Sequence, residues 1–234
     1  MKNLSKIFEE HGIKLSEKQL KQFDEYFSHL VSCNKQFNLT AITDEEEVAV
    51  KHFLDSVLPV EFFPKNASVI DVGSGAGFPS LPLKIVRPDL TICMVDSLTK
   101  RVNFLNEVVG FLGLLDAGAF HSRAEDFAKR NREKFDIAVA RAVAPLATLV
   151  ELLLPFVKVG GSAVIYKSSK LDEELKEAQK AIKTLGGEVE KIQDYEIGFA
   201  GEKISRKILI IKKVTPTPAK YPRGQNKPKL SPIK

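Results

Sequence analysis

The sequence predicts an α/β fold, a mostly parallel sheet with helices on both faces, preceded by a helical cap. Three observations carry that prediction. From Ala67 onward, short apolar runs alternate with stretches of helical periodicity, the pattern of consecutive βαβ units. The first run, Ser68 to Val72, ends in a turn with Gly73, Gly75 and Gly77 at alternate positions, followed by Pro79; this is a strand, a glycine loop and a helix start in that order. The last two runs, Glu188 to Tyr195 and Arg206 to Lys213, flank a Gly198 to Gly201 turn with no helix between them, so they pair antiparallel.

Taken in order, the first 60 residues read as helices. Ser16-Glu17-Lys18-Gln19 has the spacing of a capping box, and Leu20, Phe23, Phe27, Leu30 and Val31 then share a helical face. Thr43-Asp44-Glu45-Glu46 repeats the start signal, with Val50, Phe53, Leu54, Val57 and Leu58 as the apolar stripe behind it. Strands are expected at Ser68 to Val72, Thr91 to Val95, Ala117 to His121, Ile137 to Ala140 and Ser162 to Tyr166, before the closing antiparallel pair, which makes seven. Asp172 to Leu185 is helical and stops at Gly186-Gly187. The expected organisation is a cap over 1–62, a core over 63–213 and a basic, proline-rich tail over 214–234, where proline opposes both helix and inner strand.

Composition narrows the function. With 44% hydrophobic and 28% charged residues the chain is an ordinary globular protein. Its most apolar stretch, Leu146 to Tyr166, is interrupted by Glu151, Lys158 and two glycines, so no membrane span is expected. Glu9 and Glu10 arrive before an apolar signal core, which predicts a cytoplasmic protein. Cys33 and Cys93 form no CxxC pair and the four histidines are scattered, so no metal is expected. The net charge of +5 equals the five cations of the acid-free tail, Lys220, Arg223, Lys227, Lys229 and Lys234. Such a tail fits either a polyanionic partner or plain solvation.

The glycine loop discriminates between ligands. A dinucleotide fingerprint needs Gly or Ala at its sixth position, but counting from Gly73 that residue is Phe78. The spelling Asp71-x-Gly73-x-Gly75-x-Gly77 instead resembles motif I of class I S-adenosylmethionine (SAM)-dependent methyltransferases. Asp71 beside a pyrophosphate would be repulsive, whereas it can orient the loop and engage the amino group of SAM. Asp96 ends the second strand, where a carboxylate accepts from both ribose hydroxyls, or alternatively caps the following helix. After the third strand, Ala124 and Glu125 stand where such folds place adenine, with capping as the alternative for Glu125. Arg141 ends the fourth strand at the edge of the crevice.

Six blocks together carry a more specific resemblance: Asn38-Leu39-Thr40, Lys51-His52-Phe53-Leu54-Asp55-Ser56, Asp71 to Pro79, Asp96 to Arg101, Arg123-Ala124-Glu125 and Arg141-Ala142. In this order they resemble the GidB (RsmG) family, bacterial methyltransferases of a guanine N7 in the 530 loop of 16S ribosomal RNA. The resemblance implies a Rossmann-like, seven-stranded class I fold. It also implies SAM held by Gly73, Phe78, Ala124, Glu125 and Arg141 with Asp96 at the ribose, and a partner in 16S rRNA or the 30S subunit. The chain departs from the family's usual pattern at Ser80, where glycine is common, and at Ala140, where serine is. A SAM-dependent enzyme acting on another RNA, a small molecule or a protein is the alternative.

Guanine N7 carries a lone pair and no proton, so its methylation needs orientation and electrostatics rather than a general base. The chain accordingly has no Asn-Pro-Pro-Tyr motif after the fourth strand and no cysteine placed as a covalent nucleophile. Arg141 is the expected catalytic residue, anchoring the ligand or contacting guanine or phosphate, with a strand-to-helix bridge as the alternative. Arg123 has the same claim, or else forms a surface ion pair. Lys100, Arg101, His52, Lys220 and Arg223 are the expected RNA contacts, with His52 and Asp55 equally suited to pack cap against core. One large domain with a neutral body predicts a monomer.

Overall fold

The computed structural model describes residues 1–168 and 170–233; Lys234, one of the five tail cations, lies outside them. The cap begins with α1 (Leu4–Glu9) and α2 (Glu17–Phe37), whose start is fixed by the predicted capping box: Ser16 accepts from the Gln19 backbone and Gln19 from the Ser16 backbone. The buried face of α2 is Gln22, Phe23, Tyr26 and Leu30, while Phe27 is half-buried. Counting apolar letters missed Gln22 and Tyr26, whose polar ends find buried acceptors in the carbonyls of Leu112 and Ala76.

The second predicted helix forms in three continuous pieces. Asp44 caps α3 (Glu45–Val48) by accepting from the Glu46 and Glu47 amides, a wide π turn follows (Ala49–Leu54), and α4 (Asp55–Val57) closes it. Phe8, Phe23, Phe53, Tyr26 and Phe78 then make a chain of ring contacts from α1 to the glycine loop, with centroids 4.8–5.7 Å apart. This aromatic chain is one of the ties between the cap and the core.

The core is one seven-stranded sheet in the order β3-β2-β1-β4-β5-β7-β6. Its strands are β1 (Ser68–Val72), β2 (Thr91–Asp96), β3 (Ala117–His121), β4 (Phe135–Arg141), β5 (Val157–Lys167), β6 (Gly187–Phe199) and β7 (Glu202–Lys213). The first five pair parallel; β7 runs antiparallel to β5 and to β6. Between strands lie α5 (Ser80–Val86), α6 (Thr99–Phe111), α7 (Ala124–Asn131), α8 (Leu146–Leu153) and α9 (Leu171–Thr184). Two hydrophobic layers, one on each face of the sheet, form the core.

Boundaries differ from expectation at several places: β4 and β5 begin at Phe135 and Val157, before the expected Ile137 and Ser162. The β6–β7 ribbon runs to Phe199 and Glu202, so the turn shrinks to Ala200-Gly201, both at positive φ (50° and 79°) as a two-residue hairpin requires. Ladder hydrogen bonds extend the strands past the point where the apolar pattern fades. The tail, expected to avoid helix, forms a single turn, α10 (Lys227–Leu230). Pro228 sits in that first turn, where a missing N–H costs nothing. Rather than trailing in solvent, the tail is fastened along α7, α8 and the end of α9, as described below.

Because β1 lies between β2 and β4, the strand order reverses beside it, and the carboxyl ends of β1 and β4 open a crevice.

Candidate functional site

The glycine loop fills that crevice. Gly73, Gly75 and Gly77 have φ of 74°, 58° and 98°, a region that disfavours side chains, so the alternate spacing is a backbone requirement. At Gly77 a Cβ would also stand 2.8 Å from the Tyr26 hydroxyl. The loop is held from three sides. Gly73 donates to the Val95 carbonyl at 2.7 Å, Gly75 to Asp96 Oδ2 at 2.9 Å, and Tyr26 to the Ala76 carbonyl at 2.5 Å. Burial pushes the Tyr26 phenol well above its usual range, so it remains a donor.

Asp96 therefore does two things at once. Its Oδ1 accepts from Leu98 just before α6, while Oδ2 ties the glycine loop to β2 and faces Arg101 Nη1 at 3.4 Å. The capping and ligand-facing readings of this residue are compatible, since one carboxylate has lone pairs for both.

Beside the loop lies a cavity of about 360 Å³ lined by Gly73, Asp96, Arg101, Arg123, Ala124 and Glu125 among others, within the size range of small-molecule sites. Six of the residues expected from sequence thus converge from the loop after β1, the end of β2, the first turn of α6 and the start of α7. Glu125 is buried, and its Oε1 has no hydrogen-bond partner among the described residues. Arg123, mostly exposed, approaches that oxygen only to 4.0 Å. Three tail residues, Asn226, Pro228 and Lys229, complete the wall and were not anticipated.

A second cluster forms where β4 meets the cap. Arg141 donates to Asp55 Oδ2 at 2.7 Å and to the Lys51 carbonyl at 3.2 Å, lies 3.2 Å from His52 Nδ1, and places its guanidinium 5.0 Å from the Phe78 ring centre. His52 stacks on Phe78 at 4.4 Å and meets Thr40 Oγ1 at 2.8 Å through its other nitrogen. Burial, then the Arg141 charge, lowers the His52 pKa to about 4, so this ring is neutral near pH 7. A neutral imidazole offers a phosphate no charge, and the contacts of His52 with Phe78, Thr40 and Arg141 are those of the packing alternative.

Asp71 differs from expectation in its surroundings. It is buried behind the loop and outside the cavity lining, with Oδ2 accepting from Ser80 Oγ at 2.6 Å and Oδ1 unpartnered among the described residues. Burial, opposed by the Ser80 hydrogen bonds, raises it to about 7. Ser80, seen in the sequence only as a departure, is the partner of this acid.

The basic residues separate. Arg223, expected as an RNA contact, pairs with the buried Glu151, donating to Oε2 at 2.6 Å and Oε1 at 2.9 Å. Lys100 and Lys220 are exposed, Lys100 reaching the Phe37 carbonyl at 3.2 Å and Lys220 lying 5.3 Å from the Tyr221 ring. Elsewhere the fold brings together one trio that the sequence left scattered. His29 lies 3.5 Å from Cys33 Sγ and 3.3 Å from Glu107, and none of the three lines the cavity.

A family model described as GidB, rRNA small subunit methyltransferase G, matches residues 19–204. The chain is 48% identical over 231 residues to the ribosomal RNA small subunit methyltransferase G of Geobacillus thermodenitrificans, covering 97% of this chain and 96% of that relative. It is 48% identical over 228 residues to the protein of the same name from Bacillus cytotoxicus, covering 96% and 95%. Among solved structures, M. jannaschii TYW2 in complex with AdoMet aligns with a TM-score of 0.55 at 14% identity, over 69% of this chain and 76% of that one. A SAM-dependent methyltransferase from Aquifex aeolicus aligns with a TM-score of 0.53 at 18% identity, over 74% and 96%. At those identities the structural likeness speaks for the fold alone.

Proposed function

The chain belongs to the GidB family, the rRNA small subunit methyltransferases G, and methylates guanine N7 of 16S rRNA with SAM; from that premise we propose how its residues divide the work and that the target lies in the 530 loop. The cavity beside the glycine loop takes the nucleoside of SAM, and the Phe78–Arg141 side of the loop takes its methionine end and the target guanine.

The observation that carries this division is the unpartnered Glu125 Oε1. A buried acceptor left without a donor costs free energy unless a ligand supplies one, and the adenine amino group is such a donor. Asp96, at the loop end of the same cavity, is the ribose acceptor. Its bond to Gly75 couples ribose recognition to the shape of the loop.

SAM, when bound, would supply an electrophilic methyl on its sulfonium, and guanine N7 has its own lone pair to receive it, so the chain need move no proton. The chain's contribution is therefore placement and charge. Arg141, clamped by Asp55, holds a fixed positive charge against the face of Phe78. Buried Phe78 and the half-buried, neutral ring of His52 stack at 4.4 Å and back that guanidinium, fixing where it sits. Arg123, Lys100 and Lys220, all exposed, are the phosphate contacts in this reading. In this reading the chain acts as a monomer on the 30S subunit in the cytoplasm.

The test is transfer from labelled SAM to 30S subunits and to naked 16S rRNA, with the modified base mapped by cleavage specific for 7-methylguanine. Label at one 530-loop guanine is expected. Label on a pyrimidine, on ribosomal protein or at a guanine elsewhere would overturn the assignment.

A further inference from the structure

The cavity is closed on one side by a segment far away in sequence. Asn226, Pro228 and Lys229 line it together with Thr148 and Leu152 of α8. The segment reaches this position by a series of anchors. Thr217 donates to the Leu185 carbonyl at 2.7 Å and Arg132 donates to the carbonyls of Thr217 and Tyr221. Arg223 grips the fully buried Glu151 with two guanidinium nitrogens and its backbone N–H, and Thr148 Oγ1 donates to the Pro228 carbonyl at 3.0 Å. A two-pronged pair on a buried carboxylate is directional, and it sets the register of the residues that follow.

Asn226 and Lys229 are exposed, and no Asp or Glu side chain of the described residues pairs with Lys229. Neither side chain makes a hydrogen bond or ion pair among the described residues, and both stand at the wall of a cavity whose other polar groups include two carboxylates, Asp96 and Glu125. Carboxylates accept hydrogen bonds. They can take the adenine amino group and the ribose hydroxyls, but they offer nothing to the ring nitrogens of adenine, which are acceptors themselves. An amide NH2 and an ammonium supply the missing donors.

We propose that Asn226 and Lys229 bind the nucleoside end of SAM, donating to adenine ring nitrogens, so that the seated C-terminal segment is part of the cofactor site. This rests on the reading of the cavity as the SAM nucleoside site. It assigns the tail a role different from the polyanion contact that its charge suggests. Arg223 is then a positioning residue that acts through the segment it anchors.

Calorimetric titration with S-adenosylhomocysteine and with 5′-methylthioadenosine, which lacks the amino-acid end, tests the proposal. Asn226 has φ 59°, which glycine adopts without strain, so Asn226→Gly removes the amide alone. Lys229→Met removes the ammonium from an exposed position. Each variant is expected to weaken both ligands by about 3- to 10-fold, the size of one lost hydrogen bond, with unliganded unfolding unchanged. Lys229→Arg, which restores a donor, should recover most of the loss. Binding within twofold of wild type in the double variant would overturn the proposal, as would loss of S-adenosylhomocysteine affinity with methylthioadenosine unaffected. Failure of the wild-type chain to bind either ligand would instead sink the SAM reading of the cavity, and this inference with it.

Discussion

Arg141 and Asp55, 86 positions apart, share a hydrogen bond of 2.7 Å, and the second oxygen of the same carboxylate accepts from Arg206 of β7 at 2.7 Å. One buried acid thus joins the cap to a parallel and an antiparallel strand of the sheet. Asp55→Asn would leave two guanidinium groups without a counter-charge. Removing one partner of a buried pair costs about 3 kcal/mol or somewhat more, and urea unfolding should show a drop of that order. A shift below about 0.5 kcal/mol, typical of exposed pairs, would mean that solvent screens this junction.

Arg141 itself is expected to serve the ligand as well as the fold. In Arg141→Met, Asp55 keeps Arg206, so the chain should still fold. Methyl transfer and S-adenosylhomocysteine affinity should fall about tenfold or more, the loss of one charged hydrogen bond. Methylthioadenosine should bind within about threefold of wild type, because Arg141 lies outside the nucleoside cavity. Equal losses for both ligands would place Arg141 at the nucleoside instead.

Glu125→Ala removes the unpartnered acceptor. Affinity for both ligands should fall about tenfold, or about 1.4 kcal/mol, while the unliganded chain keeps or gains stability because a buried unsatisfied oxygen has gone. Loss of stability without loss of affinity would show that Glu125 is a structural residue.

Asp71 predicts a pH dependence. Its pKa is raised by burial to about 7 from an ordinary value of 3.8, so between those limits the folded chain keeps a proton that the unfolded chain releases. Stability contributed at this site is therefore present at low pH and lost as pH rises through about 7. His52, lowered to about 4, works in the opposite sense between about 4 and 6.5, so the informative quantity is variant minus wild type. Asp71→Asn should gain stability relative to wild type between pH 5 and pH 8 in urea melts. A difference independent of pH would show that Asp71 does not titrate there.

Arg223→Met should destabilise the chain by about 3 kcal/mol, since Glu151 would remain fully buried without its cation. Arg223→Met with Glu151→Leu should recover much of that loss, because two apolar groups need no pairing. Thermal unfolding of the single and double variants checks both.

Much of this arrangement was legible in the chain. Ser68 to Val72 and the three alternating glycines specify a strand and a left-handed loop, because short-range sterics decide φ and β-branching decides extended backbone. Asp96, Ala124 and Glu125 fall in the cavity because strand ends in a parallel sheet bring loops at fixed sequence intervals to one edge. What Asp71 and Arg141 touch was not legible in the same way. The partners of Arg141 come from residues 51–55, and its shared acid also holds Arg206, contacts that no local pattern encodes. The tail shows the limit most clearly. Its prolines and lysines describe a segment without its own core, and only the buried Glu151 on α8 turns it into a wall of the cavity. Backbone sterics and apolar periodicity act over a few residues and can be read from letters. Desolvation of a single charge depends on everything packed around it, so the pairing of Arg223 with Glu151 and of Arg141 with Asp55 was decided by the tertiary structure.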